Sequence, residues 1–180
     1  MNSEFPIPEA EAAQFGAFAP FLPLGGQMAL GAGNRSVSTS EKLSLFEEQL
    51  EAKDDWSACC LSALWLFHDE LDRSHSISQE IHTAEGSYLH GIMHRREGDY
   101  SNAKYWFRKA GDLEFFDGLA KQIQGDSSVL PTVKKEFVQF DPFLLTDLVS
   151  QSSTAEKYSL ERVTFRELLA AFEHCYRKMP

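Results

Sequence analysis

The chain has 180 residues, a formal charge of −10 at neutral pH and an apolar fraction of 43%. That length suits one domain with a real core. The acid excess argues against nonspecific binding to nucleic acid or to an anionic membrane, both of which need clustered Lys and Arg. The charge is uneven: residues 40–85 hold eleven acids against three bases, whereas 86–111 hold five bases (Arg95, Arg96, Lys104, Arg108, Lys109) against two acids. A basic segment beside an acidic one reads first as a solvated face paired with its neighbour.

Cys59 and Cys60 are adjacent in an apolar run and Cys175 lies far off, so there is no C-x-x-C pair, no zinc spacing and no secreted disulfide framework. Glu4, Glu9 and Glu11 stand where a signal peptide would carry Lys or Arg. A cytoplasmic location is the expectation. The uncharged run from Ala12 to Asn34 matches a membrane span in length, but Gly16, Pro20, Pro23, Gly25, Gly26, Gly31 and Gly33 interrupt it. A lone spanning helix must satisfy its own backbone, so a membrane helix is rejected.

In chain order, residues 1–37 read as an irregular Pro/Gly/Phe-rich tail, whose Phe5, Phe15, Phe18, Phe21 and Leu22 could be buried against the domain or a partner. The stretch Gly31–Ser36 lacks both a third fingerprint glycine and a Gly-Lys-Ser/Thr ending, and is assigned as linker rather than phosphate loop. Residues 38–180 read as a single helical domain. Ser38 with Glu41 gives a capping-box signal ahead of Leu43, Phe46 and Leu50. Asp54-Asp55 opens a helix over Trp56–Phe67, apolar almost all round and therefore central. Leu71–Ile81 continues the pattern, Thr83 caps a helix ending near Gly98, and Tyr100–Ala110 is closed by Gly111. Val129–Phe140 is the one stretch that reads as extended. Asp141-Pro142 starts a helix to Val149, and Thr154–Lys178 is a long final helix with Phe165, Leu168, Leu169, Phe172 and Tyr176 on one stripe. The fold class expected is all-α, a helical bundle.

The hairpin Ser87–Ala110 resembles a tetratricopeptide repeat through Gly91, Ala103, Phe107 and Ala110, with Gly98-Asp99-Tyr100 as the turn. It departs from that family at Ser87, His90, His94 and Phe115, where the repeat has tryptophan, leucine, tyrosine and proline. An echo lies upstream, where Asp69-Glu70-Leu71 aligns with Gly98-Asp99-Tyr100 and Ser74 with Ala103, 29 residues earlier. One or two degenerate hairpins are therefore expected. Over residues 56–178 the strings WLFHDELDRSHSISQEIH, EGSYLHGIMHRREGDYSNAKYWFRK, FDPF and FEHCYR also resemble a family of hypothetical, uncharacterised bacterial and fungal proteins. That resemblance implies one unit beginning after the tail and carries no activity with it.

Two readings of function come from the residues. In the first, the chain is a noncatalytic interaction or ligand-binding module whose concave face (His90, His94, Arg95, Lys104, Arg108) holds a protein or peptide, a small anionic ligand or a second copy of the chain, with no cofactor expected. In the second, it is a metal-dependent or acid–base enzyme. His90, His94 and Glu97 lie at i, i+4 and i+7 on one helix face, and His68, Asp72 and His75 share that spacing. Imidazole with carboxylate between facing helices suits zinc, iron or manganese, so His68, Asp72, His90, His94 and Glu97 form the candidate ligand set. The two upstream expectations conflict, since a turn at Asp69-Glu70 would take His68 and Asp72 off one continuous helix. A structural alternative also stands: His90 and His94 occupy hairpin packing positions and can simply hydrogen-bond neighbouring carboxylates. Ser74, Ser76 and Ser78 flank His75 without a nucleophile elbow, and Trp65, Tyr105 and Trp106 read as core aromatics.

Overall fold

The computed structural model describes residues 13–23, 28–50 and 54–180, and every regular element among them is helical. The helices are α1 (Val37–Gln49), α2 (Asp55–Phe67), α3 (Leu71–Ser78), α4 (Ala84–Glu97), α5 (Tyr100–Ala110), α6 (Phe116–Gly125), the single turn α7 (Pro131–Lys134), α8 (Pro142–Ser150) and α9 (Lys157–Lys178). Capping chemistry sets most of the starts. Asp54 accepts from the Ser57 amide, Thr83 from Gly86, Asp99 from Asn102 and Asp141 from Phe143, each satisfying an amide that the first helical turn leaves without a partner.

Two expectations are corrected, and one helix was not anticipated. The cap of α1 is Ser36, whose hydroxyl takes the Thr39 amide, rather than Ser38 paired with Glu41. The stretch 129–140 is not extended: Leu130 and Pro131 start a helical turn that runs on as a 3₁₀ turn over Lys135–Phe137, proline at the first position having pre-set its φ. Helix α6, which no motif announced, is held by Leu119, Ala120 and Ile123, one apolar face at i, i+1 and i+4.

Helix α2 is the centre of the molecule. From Cys59 to Phe67 every residue is buried, and α3, α4 and α9 pack around it. Cys59, Cys60 and Cys175 are free thiols inside this core, and burial pushes the Cys60 thiol up. Helices α4 and α5 form a hairpin in close contact. Gly91 is what permits the approach, because a Cβ there would stand 2.6 Å from Cε1 of Phe107. Helices α2 and α3 repeat the arrangement upstream. Asp69 at φ 62° occupies the turn position that Gly98 holds at φ 84°, and the Ser62 and Ser74 hydroxyls meet at 2.8 Å where the downstream pair is Gly91 and Ala103.

Residues 13–23 are docked on the helices. Ala13–Phe21 forms 3₁₀ turns broken at Phe15 and Gly16, with Phe15 edge-on to Phe172 and Tyr176 (5.4 and 5.1 Å), Phe18 edge-on to Phe46, and Phe21 stacked on Phe46. Phe5 lies outside the described residues. Residues 28–35 then cross the molecule as a strap. Met28 donates its amide to Glu161 O, Asn34 donates to Asp69 Oδ2 at 2.8 Å, and the buried Arg96 donates to Gly31 O, to Leu66 O and to Asp69. Gly33, at φ 72°, lies so close to the Asp69 carboxylate that a Cβ would fall 2.2 Å from its Cγ. No helix among the described residues is long and apolar enough to cross a membrane.

Candidate metal centre

Two helices and a turn bring three imidazoles together. The left-handed Asp69 ends the line of α2 and redirects the chain into α3, so that His75 on α3 faces α4. On α4, His90 and His94 share a face one turn apart. The result is a cluster of His75, His90 and His94 in which the available ring nitrogens all lie within 4.8 Å of one another. The rings of His75 and His90 are 4.8 Å apart, those of His75 and His94 5.4 Å, and those of His90 and His94 4.6 Å. His90 and His94 are buried, whereas His75 on α3 and Asn102 and Trp106 on α5 are half-buried, so the cluster opens toward solvent between α3 and α5.

Each α4 imidazole has a hydrogen-bond partner behind it. His94 Nδ1 lies 3.0 Å from Glu97 Oε2. A carboxylate only accepts, so that nitrogen carries the proton and a neutral His94 presents its Nε2 lone pair forward. His90 Nδ1 lies 3.0 Å from the Ser78 hydroxyl, which can itself donate to the His75 carbonyl at 3.4 Å. The two Nε2 atoms then meet at 2.9 Å, with the Asn102 amide 3.1 Å from that of His94. Two proton arrangements close this network. In one, Ser78 donates to His90 Nδ1 and a proton sits between the two Nε2 atoms. In the other, Ser78 donates to the carbonyl and both lone pairs face forward, an arrangement that a cation between them would stabilise. Burial, then the neighbouring His94 and His75 and the more distant Lys109, lower His90 from its ordinary 6.5 to about 4, which keeps it neutral and able to donate a lone pair.

Helix α5 supplies the wall. Asn102, Trp106 and Lys109 repeat at i, i+4 and i+7; the Trp106 ring lies 4.2 Å from that of His90, and Lys109 Nζ sits 4.4 Å over Trp106. These residues were legible only as a helix face, and Trp106 reads more naturally as core.

The other residues singled out by the sequence lie elsewhere. His68 ends α2 and places Nε2 2.7 Å from the Phe21 carbonyl, anchoring the docked segment. Asp72 is exposed and, with Glu97, lines an open groove of about 1060 Å³ along the strap. Glu97 stands behind His94 rather than among the facing nitrogens. Arg95 is buried and paired with Glu167, which also takes the Tyr88 hydroxyl at 2.7 Å; Lys104 pairs with Asp147 at 2.5 Å; and Arg108 rests over Phe143. The concave face expected from His90, His94, Arg95, Lys104 and Arg108 is thus divided among separate contacts. No protein-family model matches the chain, and neither a curated protein nor a solved structure matches it.

Proposed function

We propose that this protein binds one divalent transition-metal ion through His75, His90 and His94. The observation that carries the reading is the 2.9 Å approach of two imidazole Nε2 atoms whose opposite nitrogens are both engaged. Ligating histidines characteristically donate their second N–H to a carboxylate or an oxygen acceptor that fixes the tautomer, and Glu97 and Ser78 stand in those positions. With three neutral nitrogens in front and the carboxylate behind, the donor set favours zinc, copper or nickel over manganese or magnesium. Three protein ligands leave a position for water or a substrate, which is the arrangement of a reactive rather than a purely structural ion. In this reading the paired hairpins α2–α3 and α4–α5 act as a degenerate helical repeat whose inner turns carry the ligands, and the matching turns at Asp69 and Gly98 support it.

The test is thermal or chemical denaturation with and without Zn(II). An ion that binds only the native chain stabilises it by about 2.7 kcal/mol at a hundredfold excess over its dissociation constant. That gain should vanish with chelator and in His90→Ala. A denaturation midpoint indifferent to Zn(II), Cu(II) and Ni(II) alike would overturn the proposal.

A further inference from the structure

Resting on that metal reading, we infer that the open side of the centre binds a small organic carboxylate, held by the ion together with Lys109 and Asn102, with its apolar body on the Trp106 and Tyr105 rings. The charge balance points to an anion. Three neutral imidazoles leave the ion's double positive charge uncompensated, and Glu97, the carboxylate behind His94, offsets only part of it. Helix α5 adds no acid between Asn102 and Lys109, and the carboxylate of its cap Asp99 is taken up by the Ser101 hydroxyl and the Asn102 amide; the helix adds instead the Lys104, Arg108 and Lys109 cations. Of these, Lys104 is committed to Asp147 and Arg108 lies over Phe143, whereas Lys109 leans back over Trp106 toward the histidines.

The same face explains why the anion should carry an organic body. Trp106 packs its ring against His90, and the exposed Tyr105 stands edge-on to Trp106 at 5.5 Å. An aromatic pair beside one ammonium and one amide donor suits a singly charged carboxylate with an apolar group better than a compact, multiply charged phosphate. Lysine acts here as a point charge, which fixes sign rather than geometry. The carboxylate would take the coordination position that the three imidazoles leave open, displacing water, and the Asn102 amide would swing from His94 Nε2 to its second oxygen once the ion occupies that lone pair.

The experiment uses the full chain loaded with Co(II), whose visible spectrum reports its ligand set, titrated in chloride-free buffer with sodium acetate, sodium benzoate and inorganic phosphate. Acetate and benzoate should each shift the bands to a saturable end point, benzoate at lower concentration. Lys109→Ala should weaken both by about 1.5- to fivefold, the range of an exposed ion pair, while Lys109→Arg restores most of the loss. Tyr105→Ala should narrow the gap between benzoate and acetate and leave Co(II) uptake unchanged. If Co(II) is taken up and its spectrum is indifferent to carboxylates, if Lys109→Ala binds them as the unaltered chain does, or if phosphate binds more tightly than benzoate, the inference falls and the metal reading stands. If Co(II) is not taken up at all, the metal reading falls and takes this inference with it.

Discussion

The buried polar groups of this protein are arranged in two different ways. Around Glu167 and Asp126, unlike charges meet. Arg95 and the Tyr88 hydroxyl close on Glu167, while Arg162, Arg166 and Ser128 close on Asp126. Around His90, like meets like, and three imidazoles bring a nitrogen each within 4.8 Å of one another. Opposite charges that pair inside the protein leave nothing for a ligand to do, and breaking one strands its partner. Facing lone pairs are incomplete until a proton or a cation is shared between them. The first pattern holds helices together; the second is where added chemistry can enter.

The largest effect should come from breaking a closed network. Glu167→Gln leaves Arg95 buried without a counter-charge and should destabilise the fold by about 3–5 kcal/mol, in the range for one-sided loss of a buried ion pair. Urea denaturation would give the same loss with and without chelator. A chelator-dependent loss at Glu167 would erase the distinction between the two regions.

A smaller effect should follow from prying the hairpin open. Gly91→Ala places a methyl against the Phe107 ring, and overpacking of this kind costs about 1–3 kcal/mol. Because α4 carries His90 and α5 carries the Trp106 that packs on it, the same variant should weaken metal binding as well as stability. A variant with its melting temperature lowered and its metal affinity intact would show that the wall from α5 does not help position the ligands.

The smallest effect is the shape of the pH profile. In the metal-free chain His90 is lowered to about 4 from an ordinary 6.5, so the unfolded chain takes up a proton that the folded chain refuses. Stability should therefore be full above 6.5 and decline as pH falls toward 4. Burial alone would raise the Asp126 carboxyl, but the Ser128 hydroxyl and amide, Arg166 and Arg162 outweigh it and hold Asp126 well below its ordinary 3.8. Its contribution is present above that value and is lost as pH falls further. His90→Asn should flatten the upper limb and Asp126→Asn the lower one. If both variants alter the same limb, the two regions are not electrostatically separate.

Local chemistry made the helices legible, and long-range pairing kept much of the site hidden. The caps at Asp54, Thr83, Asp99 and Asp141, the stop at Gly98 and the small residue at Gly91 depend on neighbours in the chain, so the all-α class and the α4–α5 hairpin could be read from residues alone. The His90/His94 face was equally visible. Its third member was not: the sequence points to His68 and the structure brings His75 there instead, since both fit a helical spacing and the choice turns on a left-handed aspartate that its contacts with the strap and Arg96 hold in place. Arg95 looked available because its partner lies 72 residues away on α9. The phenylalanines of the tail announced burial without saying where, and their seat on Phe46, Phe172 and Tyr176 is built from two helices far apart in sequence.

The most direct test of the proposed metal centre is the number of ions held per chain after equilibrium dialysis against Zn(II), measured by elemental analysis for the unaltered chain, His68→Ala and His75→Ala. The arrangement of His75 with His90 and His94 predicts one ion in the unaltered chain and in His68→Ala, whose imidazole holds the Phe21 carbonyl, and none in His75→Ala. No ion in the unaltered chain, or one held as well by His75→Ala, would contradict it.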